Sequence, residues 1–173
     1  MAQVRASLRA YAWEGGEPAS VLERLARLVD AFSVTGLVTV VYGVLGPPDE
    51  KGARWFRWAN AGHLPPFVRS PDGRVHELRG GRSGVIGAPG DEHRGQDERV
   101  VPAGSLLVLY TDGLVERPGA AITDCIERLR ASLQHPDGAT SADDVCDFIL
   151  RTRPADQTRD DIALVVLRPI SPA

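Results

Sequence analysis

The hydrophobic period of this 173-residue chain changes three times, and the order of the changes limits the folds it can adopt. Apolar residues recur at helical spacing over 2–13 and again over 18–32. The segment 37–45, LVTVVYGVL, is rich in β-branched residues and opens a series of strand-like runs. Helical spacing returns after residue 121, and 162–170 has the composition of a final strand. This order predicts a layered α/β (α+β) fold built on hairpins, and not a chain of parallel βαβ units.

Turn residues divide the central strands and predict how they pair. A Pro-Pro-Asp turn interrupts 37–60, which is therefore expected to be a hairpin. A Pro-Asp-Gly turn joins PPFVRS to RVHEL in a second hairpin. The glycine-rich segment 79–98 is predicted to be a loop, and two further strands, DERVV and SLLVLYT, follow. Ser141 and Asp144 have the spacing of a capping box at the start of a later helix.

Composition excludes several classes of protein. A chain of this length is most simply a single domain, residues 1–173, and its net charge of -3 with no basic block gives no reason to expect nucleic-acid binding. Cys125 and Cys146 are too few for a disulfide scaffold and lack zinc-ligand spacing, so they are expected to be buried small hydrophobes. No segment approaches the ~18 apolar residues of a membrane span, and the N-terminus lacks a signal-peptide pattern. A cytoplasmic location is therefore expected.

Acidic residues flank two of the apolar runs. Asp112 follows the run LLVLY, and Asp160 and Asp161 precede the run IALVVL. If these strands pair antiparallel, all three carboxylates meet at one edge of a sheet, where they repel unless a cation lies between them. Oxygen ligands favour Mg²⁺ or Mn²⁺, and Gly113 would permit a tight turn and a close approach of its carbonyl. Each acidic stretch is also typical of an ordinary strand end, so a purely structural role stays open.

The segment Asn60-Ala61-Gly62-His63 follows a strand and precedes two prolines. A single histidine in a loop is usually structural or solvated, but this one could also line a cleft and hold a phosphate or a water. Asn60 and His63 are therefore weak candidates for substrate binding. The sequence contains no Gly-x-Ser-x-Gly, Walker loop or paired Cys/His motif, so serine hydrolases, P-loop enzymes and zinc enzymes have no support.

Taken in order, LVTVVYGVL, WANAGHLPP, SLLVLYTDGLVE and DDIALVVL resemble the stage-II-sporulation-E and RsbU-like branch of the bacterial PPM (PP2C-type) serine/threonine protein phosphatases. The resemblance implies an αββα sandwich of two antiparallel sheets flanked by helices. It also implies hydrolysis of phosphoserine or phosphothreonine by a two-metal centre of Mn²⁺ or Mg²⁺. Asp112 and Asp160 match metal-binding aspartates of the family and are the predicted catalytic residues. Asp161 takes a position often held by asparagine and is a weaker ligand candidate, as is Gly113.

The resemblance also suggests a partner. Its implied substrate is a phosphorylated regulatory protein, for example an anti-anti-sigma factor with a STAS fold. A sensor domain upstream in a longer parent protein would fit the same branch.

The chain departs from the family at its start. Relatives carry two strands and an Asp-Val-x-Gly-His-Gly type segment before the first helix, and that aspartate bridges both metals. Here the helical pattern begins directly after Met1 without a capping residue, so we expect a domain that is incomplete at the N-terminus and lacks its first strands. A misassigned start or a domain cut from a longer protein, a truncated remnant, and a non-catalytic module are the open explanations. The functional alternatives are an inactive phosphatase-like binding module or another hard-metal hydrolase that uses the same acids.

Overall fold

The computed structural model describes residues 2–32, 36–89, 93–135, 141–152 and 161–170. Contacts divide the chain into two compact units that alternate along the sequence. Each unit contains helices and one β-sheet, so the predicted α/β class with two sheets flanked by helices is confirmed. The first unit comprises Met1–Gly46, Trp55–His63 and Arg79–Arg99, and the second comprises Pro47–Arg54, Leu64–Leu78 and Val100–Ala173.

The first unit holds two packed helices and a four-stranded sheet. Its elements are α1 (Ala2–Glu14), α2 (Pro18–Ala31), β1 (Val40–Leu45), β2 (Arg54–Ala61), β5 (Arg82–Ser83) and β6 (Asp97–Val101). Helix α2 contacts strand β1, and strand β2 pairs with three neighbours, β1, β5 and β6.

Helix α2 begins where the sequence predicts, and its apolar stripe forms much of the first unit's core. Pro18 suits the first turn because its missing N–H would have no helical acceptor there. Leu22 and Leu25 are fully buried on the stripe. The prediction that Phe32 extends the stripe is wrong, because the helix ends at Ala31 and Phe32 is 76% exposed.

The predicted hairpin over 37–60 is confirmed, although its first strand begins three residues later, at Val40. Val40 lies opposite Ala61 in antiparallel register. The predicted loop 79–98 contains an unforeseen strand, β5, which pairs parallel with the end of β2, so this sheet is not wholly antiparallel. The close approach depends on Gly81, because a Cβ at that position would lie 2.8 Å from the Trp58 carbonyl oxygen.

The second unit is built on a four-stranded antiparallel sheet and three helices. Its elements are β3 (Phe67–Arg69), β4 (Val75–Glu77), β7 (Leu106–Tyr110), α3 (Asp112–Val115), α4 (Ile122–Gln134), α5 (Ala142–Thr152) and β8 (Leu164–Leu167). The strand order is β4-β3-β7-β8, and the predicted hairpin of PPFVRS and RVHEL is confirmed as β3 and β4. Helix α4 contacts β3 and β4, and α5 contacts β8.

Helix α5 starts at the predicted capping box. The Asp144 backbone N–H donates to the Ser141 hydroxyl at 3.0 Å, and the Ser141 N–H donates to the Asp144 carboxylate at 2.9 Å. Cys125 on α4 is buried and Cys146 on α5 is half-buried, and both are free thiols. Among the described residues, no helix has the length and apolar character needed to cross a membrane.

Tyr110 ends strand β7 inside the core of the second unit. Its ring stacks on Phe67 at a centroid distance of 5.9 Å, and it is 3% exposed. Its hydroxyl has no hydrogen-bond partner among the described residues. Burial first, and the negative charge of Glu77 second, raise the pKa of Tyr110 above its usual value.

Tyr110→Phe is therefore expected to stabilise the protein by roughly 1 kcal/mol at neutral pH, because it removes a buried polar group without a partner. The raised pKa adds a pH dependence. Above about pH 10 the tyrosine of the unfolded chain loses its proton while that of the folded chain keeps it. The free energy of unfolding of the wild type therefore falls as the pH rises above about 10. Urea denaturation at pH 7 and pH 10.5 measures both effects, and the stability gap between variant and wild type should widen at the higher pH. A variant that is less stable at pH 7 would show that the hydroxyl has a partner.

Candidate functional site

The two acidic stretches meet because β7 and β8 pair antiparallel, as the sequence predicts. Tyr110, the last residue of β7, lies opposite Leu164, the first residue of β8. Asp112 and Asp161 are therefore at the same end of this strand pair, and both are exposed. Asp160, the other predicted catalytic residue, lies outside the described residues.

Thr111 ties the two stretches together. Its hydroxyl accepts a hydrogen bond from the Ala163 backbone N–H at 2.8 Å and donates to the Asp161 carbonyl oxygen at 3.2 Å. Its own N–H donates to the Ala163 carbonyl at 3.0 Å, which extends the β7–β8 ladder by one residue. Sequence reasoning assigned no role to Thr111, although its position between a strand end and Asp112 was the available signal. Thr111 positions the backbone beside Asp112 and Asp161.

Thr111→Val keeps the shape of this side chain and removes both hydroxyl bonds. We expect a loss of about 1 kcal/mol in the free energy of unfolding, the usual worth of a partly exposed hydrogen bond. Urea denaturation followed by circular dichroism measures it. Thr123→Val on the exposed first turn of α4 is the matched control. Equal losses in the two variants would mean that the hydroxyl of Thr111 does not hold the strand ends together.

Asp112 and Gly113 lie in a short helix. Helix α3 begins at Asp112, and the Gly113 N–H donates to the Asp112 carboxylate oxygen Oδ1 at 2.9 Å. Gly113 is buried and is not among the described glycines with positive φ. The chain does turn tightly here, since the Leu114 N–H donates to the Thr111 carbonyl at 3.0 Å, but the turn is helical and its backbone conformation is one that any residue can adopt. A role for Gly113 at a metal stays a prediction.

The donor chemistry of this edge fits a hard divalent cation. Asp112 and Asp161 supply oxygen atoms only, which is the ligand type that Mg²⁺ and Mn²⁺ prefer. Across the described ranges, however, no group of three or more His, Cys, Asp or Glu side chains is arranged to hold a metal ion. The oxygen donors at this edge therefore match such a cation in kind, and metal binding by Asp112 and Asp161 stays a prediction.

The segment from Asn60 to His63 is a turn closed by its own side chain. The Asn60 amide nitrogen donates to the His63 carbonyl at 3.1 Å, and its Oδ1 accepts the His63 N–H at 2.8 Å. Asn60 is only 1% exposed, and its backbone N–H donates to Gly81 at 2.8 Å. These bonds favour a structural role for Asn60 in the first unit. Substrate binding by Asn60 or His63 stays a prediction.

Comparisons with known proteins agree with this architecture. The model of the family "Stage II sporulation protein E (SpoIIE)" matches residues 1–169. The RsbU and RsbW domains of Rv1364c from Mycobacterium tuberculosis are 23% identical with a TM-score of 0.83, over 100% of this chain and 49% of that one. This chain thus spans about half the length of that protein.

Two further solved structures share the fold. The phosphatase domain of the cell fate determinant SpoIIE from Bacillus subtilis, presoaked with Mn, is 17% identical with a TM-score of 0.63, over 96% of this chain and 71% of that one. The catalytic domain of the serine/threonine protein phosphatase PstP, in complex with two manganese ions, is 14% identical with a TM-score of 0.60, over 96% and 80%. The predicted PPM-type fold and the resemblance of the sequence are thereby confirmed. Because the family model covers nearly every residue, this chain belongs to the SpoIIE family of PP2C-like phosphatase domains.

Proposed function

We propose that this chain is a metal-dependent protein phosphatase domain that hydrolyses phosphoserine or phosphothreonine on a bacterial regulatory protein. The observation that carries the proposal is the antiparallel pairing of β7 with β8, which brings Asp112 and Asp161 to one exposed edge. Membership of the SpoIIE family over residues 1–169 supports the same chemistry.

Asp112 is the principal ligand in this proposal, with Asp160 as its predicted counterpart and Asp161 as a weaker donor. Mn²⁺ or Mg²⁺, when bound, supplies Lewis-acid stabilisation of charge on a phosphoryl group. The protein's own contribution is to hold the carboxylates in place. Thr111 fixes the backbone of Asp161 and Ala163 through its hydroxyl, and the N–H of Gly113 fixes one carboxylate oxygen of Asp112.

Family membership supports the proposed substrate class. SpoIIE from Bacillus subtilis is a cell fate determinant with a phosphatase domain, and this supports a phosphorylated regulatory protein as the proposed partner, for example a STAS-domain anti-anti-sigma factor. A cytoplasmic location belongs to the same proposal.

The direct test is turnover of a phosphoserine peptide by the folded 173-residue chain in millimolar Mn²⁺. We expect release of phosphate that depends on the metal and stops when EDTA is added. A phosphodiester substrate run in parallel should be inert. Turnover of the diester alone would favour another hard-metal hydrolase.

One observation favours a second candidate function. No three-ligand group is found among the described residues, so a complete metal centre would need further donors beyond them. A phosphatase-like module that docks the same regulatory protein without hydrolysing it is therefore the alternative. A folded sample without Mn²⁺-dependent turnover that still binds the phosphoprotein would establish this alternative for the chain.

A further inference from the structure

A small cleft opens beside helix α3, the helix that carries Asp112. Its volume is about 50 Å³, several times the space that a single buried water requires. The cleft lies between α3, α4 and α5, entirely within the second unit. It is lined by the apolar or weakly polar residues Leu114, Val115, Cys125, Leu129 and Ile149, by the hydroxyls of Ser132 and Thr152, and by Arg117 and Arg128.

The charge of the cleft is one-sided. Arg117 and Arg128 both line it, and none of the other described residues that line it is acidic. Within the described part of the chain, neither guanidinium forms an ion pair or a side-chain hydrogen bond. Arg130, which lies on α4 like Arg128, differs because it pairs with Glu127 at 2.5 Å. Arg128 is exposed and Arg117 half-exposed, so a solute can reach both.

The hydroxyls of the cleft are already committed. The Ser132 hydroxyl donates to the Arg128 carbonyl at 3.0 Å, and the Thr152 hydroxyl donates to the Phe148 carbonyl at 2.9 Å. The donors that remain are the two guanidinium groups. Such groups match the geometry of carboxylate and phosphate oxygens, and an apolar wall beside them strengthens charge-assisted bonds.

We propose that this cleft binds a small oxyanion, with Arg117 and Arg128 as its ligands. The volume suits one phosphate or carboxylate group and not a longer side chain. Leu114 and Val115 lie in the same turn of helix as Asp112, so the cleft borders the helix that carries the candidate metal ligand. The anion is either free inorganic phosphate or an acidic or phosphorylated residue of a protein partner. The binding needs no turnover, so it can fail or succeed separately from the phosphatase activity.

The test is an NMR titration of the full ¹⁵N-labelled chain with inorganic phosphate, with EDTA present and ionic strength held constant with chloride. We expect saturable shifts of the Arg117 and Arg128 side-chain N–H signals. Arg128→Gln should weaken the affinity roughly tenfold, the effect of losing one charge-assisted partner. Arg117→Gln combined with Arg128→Gln should abolish saturation.

Arg9→Gln is the matched control, because it removes the same charge from an exposed position on α1, in the first unit, that does not line the cleft. Its affinity should stay within about twofold of wild type, as expected for an exposed charge that salt screens. If the glutamine variants do not fold, the corresponding lysine variants keep the charge without the guanidinium fork and should bind with intermediate affinity.

Two peptides then separate the sources of the anion. A phosphoserine peptide flanked by glutamates should displace inorganic phosphate if the cleft recognises a protein partner, whereas a counterpart with serine and glutamines in place of the phosphoserine and glutamates should not. Displacement by neither peptide identifies free phosphate as the ligand. Shifts that chloride reproduces, or that persist unchanged in the double variant, would overturn the proposal.

Discussion

Replacing Asp112 with asparagine is expected to lower Mn²⁺-dependent phosphate release by roughly a hundredfold or more, since losing a metal ligand removes several kcal/mol of transition-state stabilisation. Asparagine keeps the size of the side chain, and its amide oxygen can still accept the Gly113 N–H that now bonds to Oδ1. The negative charge that attracts the cation is lost. Initial rates on a phosphoserine peptide at saturating Mn²⁺ measure the effect.

Asp124→Asn is the control for this variant. Asp124 is an exposed aspartate in the first turn of α4, so the substitution makes the same chemical change away from the β7–β8 edge. It should leave the rate within about twofold of wild type, as is usual for surface substitutions. Thermal denaturation adds a readout without turnover, because a cation that binds only the folded state raises the melting temperature of wild type and not of Asp112→Asn. An Asp112→Asn protein that retains both the rate and the Mn²⁺-induced shift would remove Asp112 from the metal site.

Gly62→Ala is expected to destabilise the protein by about 3 kcal/mol, the sum of a left-handed backbone penalty and an overpacking penalty. Gly62 has a φ of 67°, a left-handed conformation that glycine adopts readily and residues with a Cβ atom adopt rarely. A Cβ at this position would also lie 2.4 Å from the Val85 Cγ2 atom and 3.2 Å from the Val85 Cα atom. The turn from Asn60 to His63 would then lose its packing against the segment that follows β5.

Gly119→Ala separates the two penalties. Gly119 has a φ of 77°, but no atom lies within 4 Å of the position that its Cβ would take. This variant should therefore cost only the backbone term, about 1–2 kcal/mol. Urea denaturation midpoints of the two variants, measured together, give the difference. Equal losses would show that Val85 yields to the new methyl group and that the turn is not tightly packed.

Local patterns in the sequence determined most of the elements of this fold. The helical stripe of α2, the turn residues of the two hairpins and the capping box at Ser141 and Asp144 each depend on neighbours a few residues apart. Such interactions are present in the chain before any tertiary contact forms, so they can be predicted. The place where Asp112 and Asp161 meet was also predictable, since it required only that β7 and β8 pair antiparallel.

Long-range contacts decided the rest, and no periodicity records them. Strand β5 exists because two residues of a glycine-rich segment pair with the end of β2, which is distant in sequence. Phe32 lies outside the predicted apolar stripe because α2 ends one residue earlier, at Ala31. The hydrogen bonds of the Thr111 hydroxyl require the carbonyl of Asp161 and the N–H of Ala163, which are 50 and 52 positions away in sequence. The convergence of Arg117 with Arg128 likewise depends on how α3, α4 and α5 pack. The sequence by itself determined the elements and the acidic residues at their ends, whereas only tertiary packing decided which backbone groups join those ends and which arginines line the cleft.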